Sequence, residues 1–144
     1  MILKNKKLFI TVPVLVVLVG CFLWWQNDRQ EAGENRYKDL IVLTQPKNGE
    51  RISSPVTIEG MARGNWFFEA SFPIVIVNWD GLIIGEGIAQ AQDEWMTAEY
   101  VPFKAEITFI KPTVKDNGWI ILRKDNPSGL PEHDDAFEVP IFFR

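Results

Sequence analysis

The sequence predicts an all-β fold, an antiparallel β-sandwich of about seven strands, carried behind one N-terminal transmembrane helix. Three observations predict it. Residues 8–25 carry no charge. From Leu40 onward, apolar side chains recur at every second position. Asp-Gly, Asn-Gly and proline-containing turns fall between the alternating runs.

Residues 1–7 are a short cytoplasmic segment made basic by Lys4, Lys6 and Lys7. The run LFITVPVLVVLVGCFLWW follows at 8–25. As a helix rising ~1.5 Å per residue it spans about 27 Å, close to the hydrocarbon thickness of a bilayer. Pro13 lies near its start, where a helix tolerates proline, and Trp24 and Trp25 close it as interfacial aromatics do. Lysines ahead of the run predict a cytoplasmic N terminus and an extracytoplasmic domain at the cell membrane. Leu18-Val19-Gly20-Cys21 offers an alternative, a lipoprotein signal ending before Cys21, with that cysteine lipidated. The apolar run continues through Phe22 and Leu23, so the uncleaved anchor is the preferred reading. Either route tethers the domain outside. Residues 26–39, QNDRQEAGENRYKD, are a polar linker that reaches roughly 20 Å as a coil.

The domain occupies 40–144. Val56, Ile58, Gly60 and Ala62 alternate with Thr57, Glu59 and Met61. Phe72, Ile74 and Ile76 share one face; so do Ala105, Ile107 and Phe109, and then Val139, Ile141 and Phe143. Such alternation marks half-buried strands. The continuous run 119–122 reads as a central strand, which assigns Trp119 to the core. Strands are expected at 40–44, 56–63, 66–78, 82–91, 101–110, 118–124 and 136–143. Asp80-Gly81 predicts a type I′ hairpin and Asn117-Gly118 a similar turn. Further turns fall at Pro46 to Gly49, at Ser54-Pro55 and at 126–129. A short helical turn is expected only at 94–100. This pattern fits an immunoglobulin-like sandwich without the Cys-Trp-Cys signature of antibody domains, a small barrel being the structural alternative.

Composition removes whole classes of function. Residues 1–39 carry six Lys and Arg against four Asp and Glu, whereas 40–144 carry nine against fifteen. The domain is acidic, so nucleic acid is excluded as a partner. Cys21 is the only cysteine and His133 the only histidine. An internal disulfide, a Cys-ligated zinc site and any chemistry needing two imidazoles are therefore excluded.

Specific segments resemble a known family. Pro46, Gly49, Ile52, Ser54, Pro55, Val56, Ile58 and Gly60 carry the first block, and GNWFFEASFPI at 64–74 the second. Asp80-Gly81, Glu94-Trp95-Met96-Thr97, Val101-Pro102-Phe103 and KDNPSGLPEHDD at 124–135 follow in order. Together they resemble the immunoglobulin-like domain associated with bacterial spore germination, over about 40–144. Some members of that family adjoin a GerMN domain; here one module follows the anchor. The resemblance implies a cell-envelope role related to sporulation or germination, and no catalytic residues.

Candidate sites are few. Asp125, Asn126, Glu132, Asp134 and Asp135 offer oxygen ligands that calcium could use, against the reading of a solvated loop whose carboxylates cap backbone amides. The second reading is preferred, and no metal or cofactor is expected. Trp66, Trp79, Trp95 and Trp119 could stack on sugars or peptides; Trp95, behind Asp93 and Glu94, is the ligand-surface candidate. Glu69 within the aromatic run could be a buried acid, against a structural carboxylate paired with Arg63 or Arg123. His133 near Ser128 and Asp134 forms no convincing triad. The sequence therefore predicts a non-enzymatic binding or scaffolding module whose partner is an envelope protein or wall polymer. A carbohydrate-binding or weakly glycan-hydrolysing domain is the alternative.

Overall fold

The computed structural model describes Tyr37 and residues 39–144. The anchor at 8–25, Cys21 and most of the linker at 26–39 lie outside the described residues. No helix among the described residues is long and apolar enough to cross a membrane. The strands are β1 (Ile41–Gln45), β2 (Arg51–Ile52), β3 (Val56–Arg63), β4 (Ser71–Asn78), β5 (Ile83–Ala91), β6 (Tyr100–Ile107), β7 (Asn117–Arg123) and β8 (Ala136–Phe143). Single 3-10 turns sit at Gly64–Trp66 and Pro131–His133.

Alternation sets which side of each strand is buried. On β3, Val56, Ile58, Gly60 and Ala62 point inward; on β6, Val101, Phe103, Ala105 and Ile107 do; on β8, Val139, Ile141 and Phe143 do. The pairing order β1-β3-β6-β5-β4-β7-β8-β2 is continuous, so one eight-stranded sheet curls back on itself. Its two halves face each other as layers, β1-β3-β6 against β5-β4-β7-β8-β2. β5 links them: it pairs along its length with β4 but meets β6 only at Gln90 and Ala91, with one further bridge from Gly85 to Phe109. Phe72 of β4 and Phe103 of β6 meet edge to face across the core, ring centres 5.0 Å apart. Phe109 and Phe143 pack with tilted rings, centres 5.3 Å apart, nearer the other end. Each fully buried side chain of this size stabilises the fold by about 1.5–3 kcal/mol.

The structure corrects several expectations. Strands number eight because β2, only two residues long, pairs parallel with β8. Two residues are too few to show a period. The strand expected at 66–78 starts only at Ser71. Before it, Phe68 and Ser71 exchange both backbone hydrogen bonds around Glu69 (φ 50°) and Ala70 (φ 63°). Two central residues at positive φ mark a type I′ hairpin. That geometry was expected instead at Asp80-Gly81, where only Gly81 has positive φ, at 79°. There the Gly81 amide donates to the Asn78 carbonyl, and the Asn78 side chain accepts from the amides of Asp80 and Leu82. The result is a three-residue loop with a glycine bulge. Asn117-Gly118 is no turn but the start of β7, where Gly118 lies against the Val77 carbonyl oxygen and the Phe143 ring. Residues 96–99 form bends and 94–95 are irregular, so no helical turn forms there.

Left-handed backbone at an alanine costs roughly 1–2 kcal/mol, partly offset by the lower entropy of its unfolded chain. Ala70→Gly is therefore expected to raise stability by about 0.5–1 kcal/mol in urea unfolding. A loss would mean that the turn is not strained.

Glu59 and Lys104 face each other on β3 and β6, Oε1 to Nζ 2.7 Å. The hydrogen bond to Glu59, then its charge, holds the Lys104 ammonium above its ordinary pKa. A raised folded-state pKa contributes fully below the unfolded value of ~10.4 and fades as pH climbs through the folded value. Exposure keeps the effect small. The thermal midpoint is expected to fall slightly more steeply above ~pH 10.4 in the native chain than in Glu59→Gln. Identical slopes would show that the pair is screened out.

Candidate functional site

Strand directions gather three loops at one end of the sandwich. β3, β5 and β7 finish there, so 64–70, 92–99 and 124–135 lie together, beside Tyr37 where the chain enters the compact unit Tyr37–Arg144. These loops hold Trp66, Glu69, Trp95 and the polar residues of 124–135, whereas Trp79 lies in the β4–β5 turn and Trp119 on β7. At their centre Trp66 is 1% exposed. Tyr37 meets it edge-on at 6.3 Å and tilts against Phe137 at 5.6 Å. The Tyr37 hydroxyl donates to Asp135 Oδ1 at 2.8 Å, and the Asp125 amide donates to the Trp66 carbonyl at 3.1 Å. Arg63 holds the third loop: its guanidinium stacks 4.0 Å over Tyr100 and donates to the Asp39 and Ala98 carbonyls.

The 124–135 loop spends much of its polar chemistry on itself. Asn126 Nδ2 donates to the Leu130 carbonyl and to Asp134 Oδ1, both at 2.8 Å. Ser128 donates to Asn126 Oδ1, and Asp135 Oδ1 also accepts from the Ala136 amide. Glu132 and His133 are exposed, and Asp125 is half-buried. No group of three or more His, Cys, Asp or Glu side chains among the described residues is arranged to hold a metal. Of these bonds only that from the Ala136 amide to Asp135 caps a backbone donor; Asp134 accepts from a side chain, and Asn126 donates to a carbonyl.

Trp95 is half-buried and packs against the core cluster. Glu69 is not buried among aromatics; it is exposed in the tight turn, and the ion pair of Arg63 is with Glu99 instead, at 3.5 Å. Trp119 is not in the core either. It is half-buried on the outward side of β7, because Ile120 and Leu122 take the inward positions.

Trp119 leads to a surface that the sequence reading missed. Register places outward side chains of the five-stranded layer in rungs. Ile83, Val77, Trp119 and Pro140 form one apolar rung across β5, β4, β7 and β8. The next rung is Glu86, Val75, Ile121 and Glu138. Ile88 beside Pro73, and Phe142 beside Arg51, extend the face at either end. Val75 and Val77 are each only 6% exposed although no third layer covers them among the described residues, while Ile83 and Ile88 are 45% and 52% exposed. The rim is polar: Arg51 stacks on Phe142 and pairs with Asp116 at 2.8 Å, and Lys115 lies 4.2 Å over Trp79. The outward side of β1-β3-β6 differs. Its one apolar rung, Val42, Met61 and Pro102, lies beside Glu59–Lys104 and Thr57–Glu106. The missed signal was apolar residues on both faces of β4 and β7, a pattern that asks for cover on both sides.

No curated protein and no solved structure matches the chain. One family does, described as the immunoglobulin-like domain of bacterial spore germination, over residues 40–129. The match covers β1 through β7 and stops before β8. It includes GNWFFEASFPI, Trp95 and the first half of the 124–135 loop. The chain belongs to the immunoglobulin-like domain family of bacterial spore germination.

Proposed function

We infer that this chain is a membrane-anchored extracytoplasmic module with a non-enzymatic binding or scaffolding role in the cell envelope, in a process related to spore germination. The observation that carries the binding role is the outward face of the five-stranded layer. Contiguous apolar surface rimmed by charge is the usual form of an interaction site. Family membership supports the germination context. The uncharged run at 8–25 behind three lysines supports the anchor.

The anchor is tested by carbonate washing of membranes combined with protease treatment of intact protoplasts. The chain should stay with the membrane and lose its domain to external protease. Release by carbonate, or protection from protease, would refute the placement. Cys21→Ser separates the two anchors: a lipoprotein precursor would accumulate uncleaved, whereas a transmembrane chain would keep its size.

A further inference from the structure

We propose that the outward face of β5-β4-β7-β8-β2 is the interface between two copies of this chain; the proposal rests on the binding role inferred above. Three observations select a second copy as the occupant. The first is shape. The face is built from strands lying side by side, with one apolar rung running across four of them and a second apolar at its centre on β4 and β7. A surface of that kind is matched by another sheet face packed at ~10 Å, not by a helix seated in a groove.

The second is charge. Residues 40–144 carry nine Lys and Arg against fifteen Asp and Glu, so two domains repel each other in general. The face departs from that balance. Glu86 and Glu138 are opposed by Arg51 and Arg123, and Lys115 and Asp116 at the rim add one of each sign. Two copies of an acidic domain can thus approach here without net repulsion, each presenting both signs to the other. A two-fold interface requires such self-complementarity.

The third is size. With strands ~4.8 Å apart and ~3.3 Å per residue, the face measures roughly 20 by 25 Å. Two such faces together offer a footprint of about 1,000 Å², the least that a specific interface buries. At its centre Val75, Val77, Trp119 and Ile121 are already largely shielded from water, so association needs to cover mainly Ile83, Ile88, Pro140 and Phe142.

The test uses the full-length chain in the membrane of the cells that express it. A photoreactive phenylalanine derivative is placed at Ile83, or at Glu106 on the outward side of the other layer as a control. Illumination should give an adduct of twice the chain's mass from position 83 and little from 106. Two differently tagged copies should be recovered together in it. Ile88→Lys adds a charge at an exposed position without disturbing the core, and should lower that adduct at least tenfold. An adduct joining position 83 to a different protein would overturn the second copy as occupant but leave the face as a binding surface. No adduct from 83 would overturn both. A two-copy adduct indifferent to Ile88→Lys, or equally strong from 106, would overturn the proposed face.

Discussion

Trp66→Ala is expected to cost the domain about 3–5 kcal/mol, a large part of the roughly 5–15 kcal/mol that holds a domain of this size together. Trp66 is 1% exposed, and its ring lies edge-on to both Tyr37 and Phe72. Truncation opens a hole beneath Tyr37 and removes the partner against which the 64–70 and 124–135 loops are set. Neighbours on a curled sheet cannot collapse into it without shifting β4. Trp66→Phe is expected to cost much less. The indole Nε1 has no hydrogen-bond partner among the described residues, so phenylalanine gives up volume but no hydrogen bond. Urea unfolding of both variants checks the ordering. An alanine variant within about 1 kcal/mol of the native chain would show that Trp66 does not organise that end.

Gly118→Ala is expected to cost about 3 kcal/mol, by overpacking. A methyl group at 118 would land on the Val77 carbonyl oxygen and 2.8 Å from the Phe143 ring. The first obstacle is backbone of the adjacent strand, and the second is a ring 1% exposed. Neither can yield without moving β4 or β8. Gly49→Ala is the contrast. Nothing lies within 4 Å of a methyl there, but φ is 73°, so only left-handed strain of roughly 1 kcal/mol is added. The same chemical change at the two glycines should therefore differ about threefold in free energy. Equal losses in chemical unfolding would contradict the close approach of β7 to β4 and β8.

One-sided burial was legible in the sequence, and two-sided surfaces were not. β3, β6 and β8 alternate between apolar and polar residues, and their inward positions are those the alternation names. β4 and β7 are apolar on both sides, so period alone placed Trp119 inside. Which outward residues share a rung depends on strand order, a long-range property that no local window contains. Turn chemistry misled for a related reason. Asp80-Gly81 was outcompeted by the Asn78 side chain, and Asn117-Gly118 carries its glycine for a close approach. The hairpin at Glu69-Ala70 uses two residues with no preference for positive φ, so tertiary packing imposes it. Oxygen donors of the 124–135 loop were visible, but their engagement with Tyr37, Leu130 and one another is set by contacts up to 98 residues apart in sequence.

The short parallel pairing of β2 with β8 has a mechanical consequence. Tyr37 lies at one end of the sandwich, and β8 runs to Arg144 at the other. A load drawn between those points pulls β2 and β8 along their own axes in opposite directions. The backbone bonds from Gly49 to Pro140, Phe142 to Glu50 and Arg144 to Ile52 lie across that pull. They share it in shear and must rupture together, where a hairpin pulled from its open end would unzip one rung at a time. A seam of two residues thus acts as a fastener against stretching, where tension drawn from Arg144 enters the sheet.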